Sequence, residues 1–298
     1  DKEAIRKSGM SIPGDSIPDV MTISLGNKRG LYKSELMMLE MLANCNWVRP
    51  MYMAITVGRE NHLGLDNYFL QEGLAYRLTP FNFAEYGLID DNPNDHAIDS
   101  EKMYDNLMNK FKFGGLDNPN IYLDETVTRM CWTHRRIFAQ LATRLMEEGK
   151  MDKAAKLVEY VEKVIPGTTV KHNYSSGSMD LARIWLKVGN VAQVEKLLSP
   201  IVTNAAEYLE WYLSLPNSMM IQEEEEIMYY MYQMHHSIEV LQEAKSPMAL
   251  DYVKRLDQIN TSIQHRLYGG LGQQPQEEPA DMPLLPIMDE AETDTAAL

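Results

Sequence analysis

Asp90, Asn92, Asn94 and Glu101 stand at the first, third, fifth and twelfth places of a calcium-loop pattern, in which side-chain oxygens converge on one hard cation. That pattern needs glycine at its sharp turn, where this chain has Asp95, and Pro93 stiffens the middle. A polar loop leading into a helix capped at Asp99 or Ser100 accounts for the same letters, so no metal is expected. His235 and His236 are neighbours on a helical stretch, point in different directions and cannot share an ion. His62, His96, His134, His172 and His265 are scattered, with no His-Glu-x-x-His spacing. Cys45 and Cys131 make neither a disulfide framework nor a zinc site; they read as buried inert thiols or as a single bridge between the two. No phosphate-cradling glycine loop and no Gly-x-Ser-x-Gly elbow is present, and paired carboxylates are not assignable. These residues give no internal case for catalysis and call for no cofactor.

The elements that must position side chains are clearest in the second half. Phe138, Leu141, Ala142 and Leu145, then Gly149, then Ala154, Val158 and Val161, then Pro166 follow the tetratricopeptide pattern: small residues where two helices touch, a glycine at the turn and a closing proline. The first arm starts at a cap, Asp124, and keeps a period of 3.6 through Val127, Met130, His134 and Ile137. A second unit (Leu181, Ala182, Trp185, Gly189, Val194, Leu198, Ile201) is offset by forty residues, the excess fitting a linker over Gly167 to Ser178. A third pair is expected over Glu223 to Glu243 and Pro247 to His265, with weaker repeat identity. Four acids at Glu223 to Glu226 suit the first turn of a helix through its dipole, and the Met and Tyr density over Met228 to Met234 reads as core.

In the first half, Asp1 to Asp19 reads as an irregular lead-in. Val20 to Leu25 reads as a strand, Ser34 to Asn44 as a helix with Leu36, Leu39 and Ala43 on its packed face, and Pro50 to Val57 as a buried strand. Strand, helix and strand make a βαβ unit, extended by a short helical piece at Asp66 to Gln71 and a strand at Leu74 to Leu78. The expected class is α+β, mostly helical. A small α/β module over residues 1–122 precedes an α-solenoid of tetratricopeptide-like hairpins over 123–268 and a flexible acidic tail over 269–298.

The 298 residues, 45% hydrophobic, suffice for two cores. A net charge of -15 argues against nucleic acid or an anionic membrane surface as partner. Seven of the acids and no base lie between Gln273 and Leu298, so the body carries only -8 of that charge. No apolar run is long enough to span a membrane, and the start at Asp1, without methionine or signal peptide, reads as an excised or processed piece.

The phrases Asn44-Cys45-Asn46-Trp47-Val48-Arg49-Pro50-Met51-Tyr52-Met53-Ala54, Asp1-Lys2-Glu3-Ala4, Gly64-Leu65, Glu72-Gly73-Leu74-Ala75-Tyr76-Arg77-Leu78 and Lys102-Met103-Tyr104-Asp105-Asn106 carry a resemblance. Together they resemble the soluble C-terminal region of a bacterial family of large membrane proteins, protein O-mannosyltransferase-like and of the GT-C type, over roughly Asp1 to Pro166. The resemblance implies a membrane half holding the catalytic acids, followed by a periplasmic soluble part ending in tetratricopeptide-like helices. It assigns no chemical role to the phrases. Their charged and aromatic members Arg49, Tyr52, Glu72, Tyr76, Arg77 and Tyr104 are candidates for a binding site at the sheet edge. Asp15-Ser16-Ile17 and Asp294-Thr295-Ala296 resemble the O-glycosylation acceptor tripeptides of such bacteria, which makes Ser16 and Thr295 candidate acceptors.

The expectation is a non-catalytic periplasmic accessory domain of a membrane glycosyltransferase, docking on the rest of its own polypeptide and holding an acceptor or partner protein. A free-standing peptide- or solute-binding protein is the alternative. A sugar-processing enzyme would need carboxylates converging around the Val57 to Asp66 or Leu78 to Asp95 loops.

Overall fold

The computed structural model describes residues 1–14, 16–26, 28–89 and 96–268. Chain order is α1 (Lys2–Lys7), α2 (Lys33–Asn44), β1 (Tyr52–Ala54), β2 (Phe69–Gln71), β3 (Ala75–Leu78), β4 (Ala97–Ile98), α3 (Ser100–Asp105), α4 (Glu125–Glu147), α5 (Met151–Val164), α6 (Ser178–Val188), α7 (Val191–Ser214), α8 (Asn217–Gln222), α9 (Glu224–Glu243) and α10 (Ala249–Tyr268). The class is α+β and mostly helical, with one small mixed sheet.

The sheet is not a βαβ unit. Its order is β1-β3-β2-β4: β3 is antiparallel to both β1 and β2, and the two-residue β4 runs parallel to β2. Val20 to Leu25 forms no strand. Its alternation does pack Met21 and Ile23 against the cluster of Leu65, Tyr68, Phe69 and Leu78, but its backbone finds no ladder. The Thr22 carbonyl instead accepts from the Tyr68 hydroxyl at 2.6 Å. The piece expected to be helical at Asp66 to Gln71 splits into a 3-10 turn, Asp66–Tyr68, and β2, which closes a hairpin onto β3. β1 is short and mostly exposed, not a buried strand.

Helix α2 forms where expected but turns another face inward. Met38 and Leu42 pack on the sheet while Leu36 and Ala43 face solvent. The lead-in is partly helical: Asp1 caps α1 by accepting from the amides of Glu3 and Ala4, and Ile5, Met10 and Ile17 line the second face of the sheet with Leu70, Phe81 and Phe83.

The helical half is built as antiparallel pairs, α4 with α5, α6 with α7 and α9 with α10, in mutual contact. The small and large residues singled out in the first two pairs form a single buried core. At the amino end of α4 the expected stripe fails: Val127 and Met130 are exposed, and burial starts at Cys131. Asp124 caps the helix through the amide of Val127 at 2.8 Å.

The three pairs turn in the same way. Gly149 (φ +73°) and Gly189 (φ +84°) take the left-handed conformation, and the next amide in each reaches back, Lys150 to the Leu145 carbonyl at 2.7 Å and Asn190 to that of Trp185 at 3.0 Å. At the third turn Lys245 (φ 56°) stands in that conformation, with the Ser246 amide on the Leu241 carbonyl at 2.9 Å. The helical core also reaches back to α3, whose Met103 joins it together with Leu107 of the following π turn, Asn106–Lys110.

Candidate functional site

Of the sequence candidates, Tyr52, Glu72 and Arg77 come together. Tyr52 and Arg77 are register partners across β1 and β3, and Glu72 lies in the β2–β3 hairpin. The Glu72 carboxylate accepts from the Tyr52 hydroxyl at 2.9 Å, from Arg77 at 3.4 Å and from the Lys102 ammonium at 2.7 Å. Asn106 donates to the Glu72 carbonyl at 2.7 Å. Lys102 and Asn106 stand in a phrase that carries the family resemblance, but only Tyr104 of that phrase was singled out as a site candidate. With Glu72 only 6% exposed and its oxygens occupied, this carboxylate is no free base. Burial and the neighbouring carboxylate push the Tyr52 phenol up. Arg77 also donates to the carbonyls of Ser8 (2.7 Å) and Gly9 (3.3 Å), so the network fastens the lead-in to the sheet.

The other candidates lie elsewhere. Tyr76 stacks on Phe69 at 5.4 Å on the opposite side of β3 and also contacts His62 and His96; burial pushes its phenol up to about 12. Tyr104 lies under the Lys153 ammonium, 5.5 Å from the ring centre. Arg49 is exposed in the turn after α2. In the Val57 to Asp66 loop, Asp66 is taken by His62 (2.8 Å) and Arg59 (3.3 Å), so it is not an available catalytic acid.

The arrangement closest to catalytic geometry was not foreseen. In the linker after α5, His172 Nδ1 lies 3.0 Å from Ser178 Oγ, and its Nε2 lies 3.6 Å from Glu162, which also binds Lys196 at 3.0 Å. Residue types and order suit a nucleophile, a base and an orienting acid. Ser178, however, has no accessible surface, and its hydroxyl also meets that of Ser176 at 2.8 Å. Beside it the buried Arg135 donates to the carbonyls of Ile165 (3.0 Å), Val170 (2.6 Å) and Lys171 (3.2 Å). Burial pulls the Arg135 guanidinium down to about 10. The network satisfies the backbone of a buried linker, which a packed loop requires.

Three of the four calcium-pattern residues, Asp90, Asn92 and Asn94, lie outside the described residues. The fourth, Glu101, is gripped by Lys150 (2.8 Å) and Lys153 (2.6 Å), which hold its carboxyl at about 2. Among the described residues no cluster of three or more His, Cys, Asp or Glu could hold a metal. Cys45 and Cys131 are unbridged; Cys131 is buried, which pushes its thiol up, and Cys45 is half-buried. Ser16 is exposed, whereas its neighbour Asp15, Thr295 and the acidic tail lie outside the described residues.

The Met and Tyr stretch of α9 is only partly core. Met234 is buried, but Tyr229 and Tyr232 are exposed and join a run of rings reaching α7. Among the described residues no helix is long and apolar enough to cross a membrane.

Geometry thus defines a mostly helical α+β protein whose Glu72 and Glu162 carboxylates are held by neighbouring cations and which exposes apolar and aromatic side chains on α2, α7 and α9. Residues 1–102, which hold the lead-in, the sheet and the start of α3, match the family model of TMEM260-associated domain 2, a domain linked to a membrane-protein family. No curated protein and no solved structure matches the chain.

Proposed function

We propose that this chain is a non-catalytic accessory module of a membrane glycosyltransferase, on the periplasmic side of the inner membrane, docking on the rest of its own polypeptide and holding an acceptor protein. The observation that carries the docking role is on α2. Leu36 (58% exposed), Met37 and Met41 form an apolar face turned away from the sheet, inside the segment that matches a domain linked to a membrane-protein family. Such a face is costly in water and is explained by a partner surface. The sugar-transfer element rests on the resemblance of the phrases around Asn44 to Ala54 and Glu72 to Leu78. A tetratricopeptide-like stack is supported by the shared turn geometry of the three helical pairs, and paired helices of that kind grip extended polypeptide.

In the full-length protein, replacing Leu36 and Met41 with serine should leave the module folded and weaken its crosslinking to the membrane half. Removing 123–268 should raise KM for a folded acceptor protein while sparing transfer to a short acceptor peptide. Sugar transfer or hydrolysis by the isolated chain would overturn the non-catalytic reading. Intact mass of the periplasmically expressed chain tests Ser16 and Thr295, where absence of hexose removes both as acceptors.

A further inference from the structure

A run of aromatic rings crosses from α7 to α9 and on to the linker. Trp211 meets Tyr212 at 4.8 Å, Tyr212 meets Tyr230 at 6.3 Å, and Tyr230 stacks on Tyr208 at 4.5 Å with planes 10° apart. It continues through Tyr229 to Tyr174. Core packing does not explain it, because Tyr208 (43%), Trp211 (52%) and Tyr229 (41%) keep large fractions of their surface in water. Rings fixed by stacking on one another present their faces without further loss of side-chain freedom.

Charge along this run is uneven. At the linker end the chain supplies its own guanidinium, Arg183, 2.6 Å from His236. The other end is acidic: Glu226 stands one helical turn before Tyr230 on α9, and after the larger effect of burial Glu226 and Glu223 push the Tyr212 phenol up, while Tyr208 and then Glu226 do so for Tyr230. Glu207, Glu223 and Glu226 make no ion pair among the described residues, and Glu207 sits beside Tyr208 in sequence. Negative π-faces flanked by uncompensated carboxylates attract a positive charge twice over, through the ring quadrupoles and through the acids.

We infer that the Tyr208–Trp211–Tyr230 end of the α7–α9 surface is a docking site for an extended, arginine- or lysine-bearing segment of a partner polypeptide. This deepens the recognition role proposed above and rests on it. A neutral sugar would use the rings but gain nothing from the net charge of the surrounding acids. An acidic peptide would be repelled.

The probe is an octapeptide alternating arginine and serine, titrated calorimetrically into the full chain at about 0.15 M salt. Its partner is the isosteric peptide with citrulline at each arginine. The arginine peptide should bind and the citrulline peptide should bind at least about tenfold more weakly. Trp211→Ala and Tyr208→Ala, both at exposed positions, should each weaken binding by about threefold to fivefold with no change in net charge. The pair Glu223→Gln and Glu226→Gln should weaken it about tenfold, whereas Glu125→Gln with Glu159→Gln, equal in charge but elsewhere, should not. Equal affinity for the two peptides, indifference to the aromatic variants, or no binding overturns the proposal. Binding of a neutral hexose trisaccharide at Trp211, with the arginine peptide silent, reassigns the surface to carbohydrate and also overturns it. If the peptide fails while removal of 123–268 still raises KM for a folded acceptor, only the cationic partner is lost and the recognition role stands.

Discussion

Arg77 reaches Glu72 at 3.4 Å with the two side chains only 3% and 6% exposed, which makes this a buried ion pair joining β3 to its own hairpin. Removing Arg77 takes away the buried cation of Glu72 but leaves the Lys102 ammonium at 2.7 Å, which offsets part of the loss that a lone buried charge would cause. Arg77→Met should therefore destabilise the protein by about 2 kcal/mol in urea denaturation, less than the roughly 3–5 kcal/mol of a buried pair broken with no other partner. It should also release the lead-in, seen as faster proteolysis after Lys7, because the carbonyls of Ser8 and Gly9 lose their donor. Glu72→Leu with Arg77→Met should recover part of the loss. Stability of Arg77→Met within about 0.5 kcal/mol of the native protein would show the pair to be dispensable.

Two histidines, His172 and His236, should lower the stability as the pH falls below about 6.5. His172 is depressed first by burial and then by Arg135 and Lys196, against the pull of Glu162. His236 is depressed by burial, then by Arg183 and more weakly by His235, against Glu239. It lies 2.6 Å from the Tyr174 hydroxyl and packs on Tyr232. Both are held below the ordinary value of 6.5, so the unfolded chain binds more protons as pH falls. The stability they contribute is full above 6.5 and is lost as pH drops through their folded values. The melting temperature should fall as the pH drops below about 6.5, and His172→Gln and His236→Gln should each flatten that slope. A slope unchanged in both variants would assign the acid loss to the carboxylates.

Helical pairs were legible because their signals are local: apolar residues at a period of 3.6 and a glycine at each of the first two turns. Pro200 would ordinarily end a helix, yet α7 continues to Ser214 because Ile201, Val202, Ala205, Ala206 and Leu209 are all buried beyond it. β1 and β3 fall inside the strands expected at Pro50 to Val57 and Leu74 to Leu78, but β2, β4 and the pairing order were not legible, since strands of two to four residues find partners that no local pattern names. Val20 to Leu25 alternates as a strand does, but alternation reports side-chain burial, not a ladder partner. At the site, Tyr52, Glu72 and Arg77 were already singled out, and the register of β1 on β3 explains why they meet. The linker network was hidden in Ser, Thr and Gly content that reads as loop. Its one visible signal was Arg135, a charge at the buried spacing of Cys131, Phe138 and Ala142.

Gly177 marks where that linker touches α4. Its φ is +75°, and a β-carbon there would meet Arg136 Cα at 2.9 Å and Ala139 Cβ at 3.0 Å. Backbone on one side and a packed methyl on the other leave little room to yield. Gly177→Ala should cost well above the roughly 1 kcal/mol of the left-handed conformation alone, on the order of 3 kcal/mol. A loss of only about 1 kcal/mol would mean that the linker can lift off α4.

The third turn offers a change in the opposite direction. Lys245 occupies the left-handed place that glycine holds at Gly149 and Gly189, with the same backward hydrogen bond closing the turn. Its side chain is exposed and pairs with no acid among the described residues, so nothing offsets the steric cost that a β-carbon carries at φ 56°. Lys245→Gly should stabilise the protein by about 0.5–1 kcal/mol, the gain being reduced by the extra freedom of glycine in the unfolded chain. Gly149→Ala, where a β-carbon would meet nothing within 4 Å, should cost about 1 kcal/mol through the same term. Urea midpoints of the two variants should therefore shift in opposite directions with an unchanged slope. If Lys245→Gly lowers the midpoint, the third turn is not equivalent to the first two, and the support that turn geometry gives to a repeated helical unit is withdrawn from the α9–α10 pair.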